Sequence, residues 1–376
     1  MPSRVTPSAR GARLDLVCRR ESLPEKVAQA IISALRAGHW TRDLPGERKL
    51  CEILQVSRVS VRPALREVER QGWIVRTPGR RRQIRRKAGG AVAPSVGGRI
   101  VLLSPLPLTR MEPFVLLGLD LLREMLARRD ILLEIETRPD CFGRRPEAAL
   151  ERLCRDFHPD VWLLWRSTAS VQEWFHRLQR RHVVVGTAFH PRTSPSVDID
   201  HVATARHAAA TLGRLGHRRL AVIVPDSRLA GDSASELGFL AGARKYEGGA
   251  LLATAIRHDG TPAGIFRCVD RLMAFVPRPT AIFSAGGMQT IAITTRLRQL
   301  GVAVPTAVSV ISRDDDPALD FVSPRPARYF RPPINFARGV FRQIERQLRV
   351  ARSLPTAHLI LPELQACETL AAASNP

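Results

Sequence analysis

Between residues 23 and 37 apolar side chains recur every three to four positions, at Val27, Ala30, Ile31, Ala34 and Leu35, which predicts an amphipathic helix. Ser22 suits its N-cap, Pro24 its first turn and Gly38 its end. Similar spacing predicts a short second helix over 47–54 and a third over 59–71, closed by Gly72. A strand over 73–77, a turn at Pro78-Gly79 and a returning strand over 81–85 follow. Three helices and a hairpin make a winged helix-turn-helix, bounded here as residues 22–85. Before it, residues 1–21 are polar and without period, and read as a disordered arm. After it, residues 86–98 (RKAGGAVAPSVGG) are small and glycine-rich, and read as a flexible linker.

From residue 99 to about 370 the pattern changes. Short apolar runs at 100–104, 131–136, 161–165, 182–187, 220–224, 251–256, 280–284 and 308–311 read as strands. Helix-length stretches lie between them, for example 114–128, 146–157, 202–215 and 289–300. Near-continuous apolar strands alternating with helices imply parallel sheets buried on both faces. The span exceeds one such unit, so the fold class is α/β with two doubly wound lobes behind the winged helix.

Composition narrows the function. The chain has 376 residues, 44% hydrophobic and 25% charged, which excludes wholesale disorder. No apolar run approaches the roughly 18 residues needed to cross a bilayer. The first 20 residues hold no apolar core of a secretory signal, so a cytoplasmic protein without membrane partners is expected. Cys18, Cys51, Cys141, Cys154, Cys268 and Cys367 form no Cys-x-x-Cys pair and no Cys/His cluster. Neither a disulfide framework nor a zinc site follows, and no metal or cofactor is expected. Formal charge is +23, and residues 1–90 hold 21 Lys and Arg against 8 Asp and Glu. That concentration points to a polyanion, with double-stranded DNA the first candidate. Only four basic residues are lysine, so part of the excess is a general preference for arginine.

The pattern Leu44-Pro45-x-Glu47-Arg48-x-Leu50, then Val56-Ser57-Arg58-x-Ser60-Val61-Arg62-x-Ala64-Leu65, then Gly72-Trp73-Ile74 and Gly79, resembles the GntR family of bacterial winged-helix regulators. A recognition helix offers its N-terminal residues to base edges in the major groove. Here these are Ser57, Arg58, Ser60 and Arg62, and arginine can grip guanine in a bidentate pair. Val61, Leu65 and Val68 fall on the opposite face and should pack inward. The resemblance adds Arg48 of the second helix and Gly79 of the wing as DNA contacts. Arg80 and its neighbours Arg81 and Arg82 lie beside the wing, where they could reach DNA phosphate or the minor groove. Pro63 inside the third helix implies either a start near Ser60 or a kink.

The second region resembles the LacI/GalR-type, periplasmic-binding-protein-like sensors. The residues that carry this are Asp200, the alanines from 205 to 210, Gly216-His217-Arg218-Arg219 before an apolar strand, Pro279-Thr280-Ala281-Ile282-Phe283, Val304-Pro305, Asp314-Asp315-Asp316-Pro317 and Leu359-Ile360-Leu361-Pro362. Gly216 suits a left-handed helix C-cap, so the Gly-His-Arg-Arg run needs only a structural role. The resemblance implies a small effector bound between two lobes, with Phe114 on one wall and Asp200, Ser235 and Asp314 as polar contacts. Several positions depart from the pattern. Ser235 replaces an arginine, Gly286-Gly287 replaces Asn-Asp, and Ser312-Arg313-Asp314 replaces Gly-Phe-Asp. These departures lead us to expect a ligand bulkier or less hydroxyl-dependent than a monosaccharide, or none.

Together the two halves read as a one-component transcription regulator, a repressor acting as a homodimer on a DNA operator. The alternative is a regulator fused to an enzyme domain. Gly231-Asp232-Ser233 matches a serine-hydrolase motif, but no downstream Asp-x-x-His or Gly-x-Ser-x-Gly accompanies it, and Asp232 is expected to cap a helix starting near Ser233. A pyridoxal-phosphate enzyme needs a Schiff-base lysine, and Lys245 is the sole lysine beyond residue 87.

Overall fold

The computed structural model describes residues 23–36, 40, 43–54, 56–75, 82–84, 98–349 and 355–374. The arm, the linker up to residue 97, Gly38, Gly79, Arg80 and Arg81 lie outside them. The chain divides into two compact units, residues 1–94 and 95–376.

In the first unit, α1 (Leu23–Arg36), α2 (Glu47–Leu54) and α3 (Arg58–Arg70) precede a hairpin of β1 (Ile74–Val75) and β2 (Gln83–Ile84). The strands pair antiparallel, Ile74 opposite Ile84. Val61, Leu65 and Val68 of α3 are buried with Val27, Ile31 and Leu50. On α1 the buried face uses Ala28 and Ile32 where alternation had put Ala30, which is exposed. The helix α3 starts at Arg58 and runs through Pro63. Proline at this position removes the N–H that would reach the Val59 carbonyl. Val59 itself is 81% exposed.

The second unit holds two six-stranded sheets. Lobe 1 is built from β3 (Arg99–Ser104), α4 (Pro113–Ala127), β4 (Leu132–Thr137), α5 (Glu147–Asp156), β5 (Val161–Trp165), α6 (Ala169–Arg177), β6 (His182–Val185) and β7 (Ser196–Ile199). Lobe 2 follows with α7 (His201–Arg214), β8 (Arg219–Pro225), α8 (Ala230–Arg244), β9 (Leu252–His258), α9 (Pro262–Met273), β10 (Ala281–Ser284), α10 (Gly287–Gln299), β11 (Ser309–Ser312) and β12 (Ala327–Phe330). The chain then returns through α11 (Pro333–Arg349) and β13 (Ala357–Ile360) to lobe 1, and ends in lobe 2 with β14 (Glu363–Gln365). Strand order is β13-β7-β6-β5-β3-β4 in lobe 1, all parallel. It is β14-β12-β11-β10-β8-β9 in lobe 2, where β14 alone runs antiparallel. Each sheet is covered on both faces by apolar clusters, as near-continuous strands such as Val-Trp-Leu-Leu-Trp require.

The chain therefore crosses between lobes three times, at residues 199–201, 330–333 and 360–363. The first and third crossings are tied together by Asp200 N–H donating to the Ile360 carbonyl (2.9 Å). At the end of α7, Gly216 takes a left-handed backbone (φ 88°), as its sequence position required. His217 is buried, donating Nε2–H to the Ala371 carbonyl (3.1 Å) and accepting from Thr280 Oγ1 at Nδ1 (3.0 Å). The packed chain thus continues past residue 370, with Ala373 N–H reaching the Leu215 carbonyl.

Candidate functional site

The first candidate surface is the exposed end of α3. Ser57 occupies the N-cap position and is exposed, as are Arg58, Val59 and Arg62. Ser60 is buried, with its Oγ 3.5 Å from Ser57 Oγ, so it supports the turn and does not face outward. Arg48 on α2 is exposed and pairs with Glu52 (3.5 Å). Glu47, to which the pattern assigned no role, organises this face. It accepts from Arg62 Nε and Arg82 Nη2, each at 3.0 Å, and so links α2, α3 and the wing strand. Hydrogen bonds from those two guanidiniums hold its carboxyl below the ordinary range.

The second candidate is a cavity of about 510 Å³ between the lobes of the second unit. Lobe 1 contributes Phe114, Trp165, Arg166 and Asp198, and lobe 2 contributes Gln289, Arg313 and Asp314. The aromatic wall comes from α4 and α11, where Phe114 meets Phe336 edge-on (5.5 Å between centroids). Arg331, on the second crossing, lays its guanidinium over Phe114 at 3.9 Å. Among the described residues its Nε is buried without a hydrogen-bond partner.

Along the same cavity a polar chain runs from lobe to lobe. Thr187 Oγ1 donates to Asp198 Oδ2 (2.6 Å), which also pairs with His201 Nε2 (3.0 Å). His201 Nδ1 lies 3.3 Å from Ser235 Oγ. Arg313 donates from Nη1 to Ser235 Oγ and Asp232 Oδ1 (3.0 Å each) and from Nη2 to Asp314 Oδ2 (2.8 Å). Burial pushes the Asp198 carboxyl up, but His201 and the Thr187 hydroxyl outweigh it and hold the group far below its ordinary value. Burial likewise opposes charge on Asp314, and Arg313 and Arg331 reverse that.

Of the sequence-derived cleft residues, Phe114 and Asp314 line this cavity; Asp200 and Ser235 do not. Asp200 caps α7, its Oδ1 accepting from Ala203 N–H (2.8 Å). Ser235 is fully buried behind Arg313. Gly287 leaves no open space, because a Cβ there would overlap Asp316. Asp232 lies in the first turn of α8, whose N-cap is Leu229, and it accepts from Ser227 Oγ (2.6 Å). Sequence reading passed over Asp198, inside the short polar strand β7, and His201, the first residue of α7, because neither stands in an apolar run. Arg313 stood out only as a departure from the family pattern, and Arg331 only as a charge after an apolar stretch.

Residues 23–84 match the bacterial regulatory proteins of the gntR family, and residues 209–366 match the periplasmic binding protein-like domain. The chain joins a GntR-family DNA-binding domain to a periplasmic-binding-protein-like domain. It is 26% identical over 325 residues to the arabinose metabolism transcriptional repressor of Geobacillus stearothermophilus, covering 79% of this chain and 84% of that one. It is 28% identical over 127 residues to the HTH-type transcriptional regulator AglR of Rhizobium meliloti, 33% of this chain and 35% of that one. Solved structures share the fold of the second unit. A LacI family regulator from Bifidobacterium animalis superposes with a TM-score of 0.62 at 18% identity, over 73% of this chain and 98% of its own. One from Enterococcus faecalis with bound ribose gives 0.62 at 16%, over 73% and 100%.

The two positions noted as departures, 235 and 313, are in contact with each other. Arg313 donates from Nη1 to the Ser235 hydroxyl (3.0 Å), so a guanidinium lies beside position 235. The order Asp198–His201–Ser235 also resembles a hydrolase triad, but its hydroxyl is committed elsewhere. Ser235 donates to the Gly231 carbonyl (2.9 Å) and is out of the cavity. Ser233 is exposed on α8.

Proposed function

We propose that this regulator is a transcriptional repressor whose winged helix holds an operator and whose cleft binds a sugar-like effector that changes that grip. The reading rests on one coincidence in a single chain. An exposed arginine-bearing helix end sits in one unit, and the other holds a cavity with polar walls drawn from both lobes. A ligand touching both walls favours one lobe arrangement, which is the differential affinity that regulation requires. The arabinose repressor and the ribose-bound neighbour support a carbohydrate-like effector. The protein acts in the cytoplasm as a homodimer on paired half-sites, by binding and without catalysis. Footprinting upstream of its own gene, with and without a panel of pentoses and hexoses, tests this. We expect a protected, two-fold-symmetric site whose occupancy changes with one sugar. Binding that ignores DNA sequence would overturn the reading, and a monomer by light scattering at micromolar concentration would remove the dimer.

A further inference from the structure

The cleft has an electrostatic sign opposite to that of the chain. The whole chain carries a formal charge of +23. Its cavity is lined by the carboxylates of Glu112, Asp198, Asp232, Asp314, Asp315 and Asp316, against the guanidiniums of Arg166, Arg313 and Arg331. Counting His201 as a cation still leaves the wall negative.

The ion pairs show where the excess sits. Arg166 pairs with Glu112 (3.2 Å) and His201 with Asp198 (3.0 Å). Arg313 is shared between Asp232 and Asp314, and Arg331 stands 3.7 Å from Asp314. Asp315 shares Arg328, behind the wall, with Asp320 (2.7 Å each). Asp316 makes no ion pair among the described residues, and its Oδ1 accepts the Ala318 N–H (2.9 Å). It stands over Gly287 on the lobe 2 wall, where any larger residue would displace it. Burial raises the Asp315 carboxyl, Arg328 and Arg331 oppose that rise, and Asp320 and Asp316 add to it.

We infer that the cleft selects by charge: it takes a polyhydroxylated ligand that is neutral or bears a protonated amine, favours the amine, and rejects carboxylates and phosphates. An anion entering here meets a carboxylate surplus in a partly desolvated space, where like charges are poorly screened. A protonated amine gains from the same surplus. The inference rests on the effector reading above and narrows it to a ligand class.

The test uses the full chain in calorimetry at constant ionic strength with matched sets: galactose, galactosamine, galacturonate and galactose 6-phosphate, and the glucose counterparts. Two probes outside the sugars, the tris(hydroxymethyl)aminomethane cation and gluconate, complete it. Within a set that binds, the amine should exceed the neutral parent about tenfold in affinity, and the acid and phosphate should fall at least about tenfold below it. Asp316→Asn, which keeps the acceptor for Ala318, should narrow the gap between amine and parent several-fold. If no sugar binds but the polyhydroxylated cation does and gluconate does not, the charge selection stands and the sugar reading falls. Equal affinities across a set, preference for the acid or phosphate, or no binding by any cation or neutral probe would overturn the inference.

Discussion

Arg58 and Arg62 both lie on the exposed end of α3, yet their surroundings differ. Arg58 takes part in no ion pair among the described residues, whereas Arg62 is held by Glu47. Arg58→Ala should therefore cost about 1–3 kcal/mol of specific binding and relax preference at one base pair. Glu47→Gln should do something different. Loss of its charge frees Arg62 and Arg82, so affinity for any duplex rises while the ratio between operator and scrambled DNA falls. Gel shifts on both DNAs at two salt concentrations separate these outcomes. A second residue-scale prediction concerns acid. His182 is buried, donating Nδ1–H to the Arg180 carbonyl (2.8 Å) and accepting from Ser194 Oγ at Nε2 (2.9 Å). Burial depresses its pKa from 6.5 to about 4. Its folded value lies below its unfolded one, so the unfolded chain takes up the proton first as pH falls. Stability present above pH 6.5 is thus lost between about 6.5 and 4, by about 3 kcal/mol for this group. His217 and His258, also depressed by burial, act in the same direction. Chemical denaturation of His182→Asn at pH 7 and pH 4.5 should show a shallower loss than the parent; an equal loss would remove His182 from this role.

Among the elements, the dense apolar strands, the alanine-lined α7 and the start of α8 were legible, whereas the side of α8 that is buried was not. The strands β3, β5, β6, β8 and β10 were expected within about two residues of where they lie, because each is buried on both faces. The four-residue strands β7, β12 and β13 carry polar residues and offer no such run. α8 is the clearest case of a hidden face. Gly231, Ser235, Gly238 and Gly242 fall three to four positions apart on one side, and that side meets α7. A Cβ at Gly238 would lie 2.7 Å from the Val202 carbonyl oxygen, and one at Gly242 2.8 Å from Arg206 Cα. The buried stripe has no bulk, so periodicity could not report it. Ser235 belongs to this helix contact, and the Arg313 guanidinium reaches its hydroxyl from the end of β11. Gly238→Ala should destabilise the second unit by about 2–4 kcal/mol, because backbone and not a movable side chain stands in the way. Thermal unfolding should show it, with Leu237→Gly, an exposed position on the same helix, costing about 1 kcal/mol.

At the scale of the whole molecule, architecture was legible from the alternation of strand and helix, but the route of the chain between lobes was not. Pattern locates elements and says little about which sheet a short late strand joins. Here α11 supplies Phe336, Ala337, Val340, Phe341 and Ile344 to the core of lobe 1, and β13 closes the edge of its sheet against β7. A chain ended after residue 332 should therefore keep lobe 2 largely built but leave an apolar face of lobe 1 bare. Dye binding and aggregation should report this, and a 333–376 peptide supplied in trans should reverse it; a soluble truncated chain that binds no dye would refute the account. The three crossings also bear on synthesis. On the ribosome, the first five strands of lobe 1 emerge early but cannot complete their lobe until nearly all of lobe 2 has followed. The half-built lobe must wait, with the surface reserved for α11 uncovered, through some 130 residues of further translation. Codon speed and chaperone capture over that interval, rather than the stability of the finished fold, then set how much active regulator a cell obtains from each message.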